Sequence, residues 1–162
     1  MTDPQSNIRA IGIAAEANQF LTFNLAGEEF GIDILRVQEI KGITKIKPLP
    51  NLPAHIKGLL NLRGKVIPIV DMRTKFSLPN RDYDRFSVII VVVIDEHPVG
   101  LAVDAVSEVL DFASEQIEPA PRIAGADTAF MDGIAKTDER MITLLNLDQL
   151  IATEVLQLNV AS

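Results

Sequence analysis

The sequence predicts an all-β protein built as a pair of small barrels. Three observations carry this. Short apolar runs recur at close spacing with turn signals between them. The chain repeats itself. No stretch between the runs fits the long crossover helices that a parallel α/β sheet needs.

The elements follow in order. Phe20, Thr22 and Asn24 alternate with Leu21, Phe23 and Leu25, and Gly27 follows; this reads as a strand entering a hairpin, with Glu28–Ile32 as the return. Ile34, Val37 and Ile40 fit helical spacing, so a short helical turn is expected there, with Asp33 as its N-cap. Gly58–Leu62 and Lys65–Val70 read as strands joined at Arg63-Gly64, where Gly supplies a positive φ at little cost. Pro68 lacks an N–H, which puts its strand at an edge or kinks it there. Val88–Ile94 is a run of β-branched residues, the pattern of a strand buried on both faces. His97-Pro98 breaks it and Val99–Val103 returns. Gly133–Ala135 and Met141–Leu145 repeat the earlier hairpin. Apolar residues at 147, 150, 151, 155 and 158 give an amphipathic C-terminal helix over 147–158, with Asp148 near its start. Residues 1–18 read as a loose tail, leaving 19–158 as the folded domain.

The repeat is explicit. Shifted by 69 residues, Phe20–Leu25 lies on Ile89–Ile94, Gly31 on Gly100, Val37 on Val106 and Glu39 on Glu108. Shifted by 75, Gly58-Leu59 lies on Gly133-Ile134, Val66-Ile67 on Met141-Ile142 and Ile69-Val70 on Leu144-Leu145. The extra six residues fall in a connection holding Pro119-Ala120-Pro121 and Gly125. The copies span about 20–72 and 89–147, each of a size at which a lone core is marginal. They are expected to share apolar surface, and exchanging strands is one way to do so.

Composition narrows the function classes. The chain has 162 residues, 48% of them hydrophobic, so it can build a real core. It has no Cys, which excludes disulfides and thiolate metal sites and fits a reducing cytoplasm. No secretory signal is visible, and the longest apolar run, Val88–Ile94, falls far short of the roughly 20 residues of a spanning helix. The net charge of −7 hides a split: residues 30–85 carry eleven cations and five acids, residues 86–162 three cations and thirteen acids. The basic middle suits an acidic partner or is a solvated face. Few aromatics accompany it, so nucleic acid is not the expected ligand.

Catalytic constellations are missing from the pattern. The two histidines, His55 and His97, lie near prolines without further ligands at metal-binding spacing. Gly58-x5-Gly64-Lys65 lacks the spacing and hydroxyl of a phosphate loop. No serine sits in a nucleophile elbow. Asp82 and Asp84 lie in a polar connection. Lys47-Pro48-Leu49-Pro50-Asn51-Leu52-Pro53 reads as a stiff connector rather than a ligand for an SH3-type groove. The expectation is a non-enzyme without metal or cofactor. One asymmetry stands out. Glu39 and Glu108 are repeat-equivalent, but Arg63 is replaced by Asp138, so an opposite-charge pair between these positions is open only to the first copy. Val37 and Ile40 bracket Glu39. Spacing alone leaves two readings level: an apolar interface rimmed by a paired charge, or core residues beside a solvated acid.

The residues also resemble a known family. Phe20-Leu21-x-Phe23-x-Leu25, then Glu29-Phe30-Gly31-Ile32-Asp33-Ile34-Leu35-x-Val37-Gln38-Glu39-Ile40, resembles the opening of CheW chemotaxis coupling proteins. Pro53-Ala54-His55-Ile56-Lys57-Gly58, Asn61-Leu62-Arg63-Gly64 and Val66-Ile67-Pro68-Ile69-Val70-Asp71-Met72-Arg73 resemble its signature hairpin. Val99-Gly100-Leu101-x-Val103-Asp104-x-Val106-Ser107-x-Val109-Leu110 resembles its second-half strand pair. The match runs over about 19–158. The regulatory domain of the kinase CheA shares these motifs, but 162 residues leave no space for kinase domains, and no response-regulator domain follows as in CheV.

The resemblance implies two intertwined five-stranded SH3-like β-barrel subdomains with a short C-terminal helix. It implies a cytoplasmic adaptor, recruited to membrane-associated arrays, that couples methyl-accepting chemoreceptors to the histidine kinase CheA. The receptor tip would lie in a groove matching Val37, Glu39, Ile40 and Arg63, beside the signature turn Asn61, Leu62, Arg63 and Gly64. For the kinase contact the candidates are Gly58 and the loop residues Pro121, Arg122 and Ile123, which no motif singles out. Within the family, a pilus-motility or other chemosensory pathway is the alternative; outside it, a barrel binding nucleic acid or a small ligand.

Overall fold

The computed structural model describes residues 19–124 and 128–151. Eleven strands form two sheets. The first hairpin is β1 (Gln19–Leu25) and β2 (Glu28–Asp33), turning at Ala26-Gly27. A 3-10 turn, Ile34–Arg36, leads to β3 (Val37–Gly42). The second hairpin is β4 (Ile56–Leu62) and β5 (Lys65–Asp71), followed by a four-residue helix α1 (Met72–Lys75). Then come β6 (Val88–Ile94), β7 (His97–Val103), β8 (Ala105–Asp111), the two-residue β9 (Ile117–Glu118), β10 (Met131–Lys136) and β11 (Met141–Leu145). A helix α2 starts at 147 and is described to 151; the rest of the expected C-terminal helix and the expected tail lie outside the described residues.

Strand exchange between the repeats is the organising fact. One sheet runs β8-β1-β2-β11-β10-β9, the other β3-β6-β7-β5-β4. Each takes its first hairpin from one repeat and its remaining three principal strands from the other. The pairings are images of each other. Phe23↔Val106 in one sheet matches Val37↔Val92 in the other. Leu144↔Gly31 matches Ile69↔Gly100, both in parallel pairs. Each sheet also has a sixth edge segment beyond the expected five. In one it is β9; in the other it is a single bridge, Lys47↔Leu59. The sheet of β3 to β7 is one contiguous stretch, 37–103, called lobe B below. Lobe A is made from the flanking segments. The chain passes between lobes at the 3-10 turn 34–36 and at Asp104.

Three clusters of buried side chains explain the apolar patterns. Lobe B has a private core of Leu60, Leu62, Ile67, Ile69, Ile89, Val91 and Ala102. Lobe A has a smaller one of Phe112, Ala135, Ile142 and Leu144, with Phe20 packed against it. A central cluster, including Leu21, Phe23, Ile32, Ile90, Val92 and Leu101, joins the lobes. Strand β6 has no polar alternation because Ile89 and Val91 point into lobe B while Ile90, Val92 and Ile94 point into the junction. Pro68 is in an interior strand rather than at an edge; it lies one residue before the β5–β7 ladder begins at Ile69, where its missing N–H is not required.

Two expectations need correction. Ile34, Val37 and Ile40 do not share a helix. Asp33 does cap a turn, its carboxylate accepting from the Leu35 amide at 2.9 Å, but the turn ends at Arg36 and Val37 starts a strand. A bulge between Val37 and Glu39 inserts one residue, so apolar residues three apart return to one face of the strand. A bulged strand thus imitates helical spacing. His97-Pro98 does not break the chain either: the turn is at Asp95-Glu96, both at positive φ, and His97 already pairs with Ile94. Helix α1 has no signal beyond one cap. Asp71 accepts from Thr74 N at 3.2 Å, and its repeat-equivalent Asn146, rather than Asp148, accepts from Gln149 N at 3.1 Å to start α2.

Candidate partner-binding site

The signature turn is built from four different jobs. Leu62 anchors it in the lobe B core. Asn61 Oδ1 accepts from the Gly64 amide at 2.9 Å, closing the turn. Arg63 and Gly64 both adopt left-handed backbone, φ 52° and 85°, as a two-residue hairpin of this twist demands. That backbone sends the Arg63 side chain across to Glu39 on β3. The guanidinium makes a two-pronged contact with the Glu39 carboxylate, one arm at 3.4 Å and the other shorter. Strands β3 and β4 are the outer strands of the sheet order, so this pair ties the two edges of lobe B together. The hydrogen bond from Arg63 holds the Glu39 carboxyl below the ordinary range and raises the guanidinium.

The structure brings Val37, Glu39, Ile40, Arg63 and the turn residues onto one lobe. Because of the bulge, Val37 and Ile40 pair with Val92 and Ile90, both junction-facing, while Glu39 pairs with Val91 on the opposite face. Val37 is packed against the central cluster; Ile40 is 39% exposed and Leu35, just before the strand, 61%. Leu35 in the turn and Ile40 on the edge strand thus leave exposed apolar surface on either side of Val37 in the chain.

Gly58 is separate from it. It is buried, with φ +151°, and a Cβ there would stand 2.1 Å from the Lys47 carbonyl oxygen. Its repeat-equivalent Gly133 meets the Glu118 carbonyl in the same way at 2.6 Å. Both glycines admit the sixth edge segment of their sheet. Pro121, Arg122 and Ile123 follow β9 on lobe A and are exposed, Ile123 at 55%. The four candidate kinase-contact residues therefore occupy different lobes.

One charged group was missed in sequence. Asp138 indeed cannot partner Glu108, but Arg140, aligned with Lys65, takes the task. It donates to Glu108 at 3.0 Å and in two bonds to Glu29 at 2.6 and 3.0 Å. Lobe A thus ties β8 to its own last hairpin as lobe B does. Hydrogen bonding from Arg140 holds the Glu29 carboxyl low. The signal was a two-residue slip inside a repeat aligned without gaps. Among the described residues no group of acids and histidines is arranged to hold a metal, and no helix is long and apolar enough to cross a membrane.

Comparison with known proteins agrees with this architecture. The family model of the CheW-like domain matches residues 19–155. The chemotaxis protein CheW of Klebsiella aerogenes is 43% identical over 141 residues, covering 86% of this chain and 85% of its own. That of Rhizobium meliloti is 36% identical, over 84% and 88%. The crystal structure of the scaffolding protein TtCheW from Thermoanaerobacter tengcongensis superposes with a TM-score of 0.77 at 41% identity, covering 83% of this chain and 92% of that one.

Proposed function

The chain belongs to the CheW family of chemotaxis adaptors, scaffolds rather than enzymes, and from that premise we propose that it couples the cytoplasmic tips of methyl-accepting chemoreceptors to the regulatory domain of the histidine kinase CheA. The observation that supports this reading is the Glu39–Arg63 pair beside the exposed apolar surface of Leu35 and Ile40. A receptor helix lays an apolar stripe there, in the manner of an amphipathic helix on an apolar surface, and the charge pair fixes the rim. The pair is exposed, so its role is to set the geometry of the edge rather than to hold the fold. The kinase contact falls on exposed lobe A residues such as Ile123. Gly58 is buried on β4 of lobe B, so any effect it has on a partner passes through the Lys47 edge segment that it admits. The adaptor works at the cytoplasmic face of receptor arrays.

The test is Arg63→Ala, assayed by thermal melting and by pull-down with a receptor signalling-tip fragment and with the kinase regulatory domain. The expected outcome is an unchanged melting curve with receptor capture reduced several-fold. Unchanged capture of both partners would overturn the assignment of this edge.

A further inference from the structure

The two passages between lobes are each held by an ion pair, and the two pairs have opposite polarity. Arg36, ending the first passage, donates to both carboxylate oxygens of Asp148 in α2, at 3.0 and 2.5 Å, and to the Val93 carbonyl at 3.2 Å. Asp104, which is the second passage, accepts from Arg73 of α1 at 2.8 and 2.7 Å and from the Ala26 amide at 2.9 Å. Arg73 and Asp148 are repeat-equivalent by the 75-residue shift. Arg36 aligns by the 69-residue shift with Ala105, the neighbour of Asp104. At matching places in the fold, then, the first repeat carries two cations and the second two acids.

We propose that these clamps are a pairing code that makes each repeat accept the other and reject its own kind. If like repeats were joined, by a repeat closing on itself or by two copies of the chain exchanging first halves, Arg36 would face Arg73 and Asp104 would face Asp148. Both contacts turn from attractive bidentate pairs to like-charge collisions. Apolar packing at the parallel strand pairs offers no such discrimination. Gly31 receives Leu144 and Gly100 receives Ile69, isomeric side chains at equivalent places. The strand registers are images of each other as well, so they suit like and unlike partners equally. The buried clamp is the stronger discriminator, since the Arg73 and Asp104 side chains are only 13% and 14% exposed, and Arg81 adds a second cation 3.7 Å from Asp104.

The absence of native cysteine allows a direct test in the full chain. Gly42 pairs with Val88 in the observed sheet, so Gly42→Cys with Val88→Cys reports unlike pairing. Gln19 is the repeat-equivalent of Val88, so Gln19→Cys with Gly42→Cys reports like pairing, as a cross-linked monomer for self-closure or a cross-linked dimer for exchange between copies. Each reporter is refolded under oxidising conditions in three backgrounds and read on non-reducing gels. The parent forms only the unlike disulfide. R73D/D148R, which makes both like contacts complementary, loses the unlike disulfide from most of the refolded protein and gains the like one. R36D/R73D/D104R/D148R, with both clamps inverted, recovers the unlike disulfide at the parental yield. If R73D/D148R keeps the unlike disulfide at the parental yield, the proposal is overturned. If R73D/D148R fails to fold, the quadruple variant decides: recovery of the unlike disulfide supports the code, and equal failure overturns it.

Discussion

The two lobes share one strand plan yet are stabilised unequally. Among the described residues, lobe B has seven buried residues in its private core and lobe A four, so lobe A draws more on the central cluster and on polar ties. Position 22 shows the trade most clearly. In lobe B the equivalent residue is Val91, fully buried in the private core. In lobe A it is Thr22, equally buried, whose hydroxyl donates to the Glu108 carbonyl at 2.9 Å and accepts from the Glu108 amide at 3.2 Å. Lobe A also adds the tilted Phe20–Phe112 contact, with ring centroids 6.0 Å apart. Charge follows the same division. Residues 34–104, which hold lobe B, carry eleven cations against seven acids; 19–33 and 105–151, which hold lobe A, carry three against twelve. Exchange of strands thus leaves the two lobes with opposite net charge. A scaffold with lobes of opposite sign can present them to partners of opposite sign.

Four experiments break or sharpen this comparison. The largest effect is expected at the junction both lobes share. Phe23→Ala empties a fully buried site in the central cluster and should cost about 3–5 kcal/mol, with both lobes unfolding in one urea transition. Two separated transitions would show that the lobes are independent. Next come the equivalent glycines. Gly58→Ala puts a methyl 2.1 Å from a backbone carbonyl at a positive φ, Gly133→Ala puts one at 2.6 Å with no such φ, so the first should lower the melting temperature more. Overpacking of this kind costs about 1–3 kcal/mol. Equal losses would mean the two edge segments yield alike. Thr22→Val makes lobe A imitate lobe B and strands the Glu108 amide, a loss of about 1–2 kcal/mol by chemical denaturation; a stabilised variant would show that packing outweighs the hydrogen bonds.

The smallest effect is on acid stability. Hydrogen bonding from Arg140 lowers the Glu29 carboxyl in the folded state, from 4.5 when free. Burial alone would raise Asp104, from 3.8, but hydrogen bonds from Arg73 and the Ala26 amide outweigh it and the carboxyl is held low. Both groups bind protons more weakly when folded. Their contribution is therefore complete above about pH 4.5 and is lost as pH falls below 3.8 through the folded values. Arg140→Gln should flatten part of that acid limb, by less than about 1 kcal/mol. A melting-temperature series from pH 6 to pH 3 on both proteins checks it, and parallel curves would exclude the Arg140–Glu29 tie as a source.

Much of the fold was legible because its strands leave simple marks. Alternation in Phe20–Leu25, the unbroken Val88–Ile94 and the Arg63-Gly64 turn each map onto an observed element. The repeat foretold that the copies share a core, since each alone is too small. What sequence hid was whatever depends on one residue being inserted. The bulge after Val37 turns a strand into apparent helix spacing, and the slip to Arg140 conceals the lobe A charge tie. Among site residues, the Glu39–Arg63 pair could be anticipated from opposite charges at repeat positions. The burial of Gly58 could not, because its neighbour, the Lys47 carbonyl, is backbone and carries no side-chain signature.

The contiguity of lobe B has a consequence for how the molecule is made. As the chain leaves the ribosome, 37–103 emerges with every strand that lobe needs, while the hairpin of β1 and β2, made before it, waits for partners up to 113 positions later, as in Gly31↔Leu144. The oldest part of the protein is thus the last to be enclosed. Until then its bare edges are what a chaperone would meet, while strand β3 is already seated in a finished lobe.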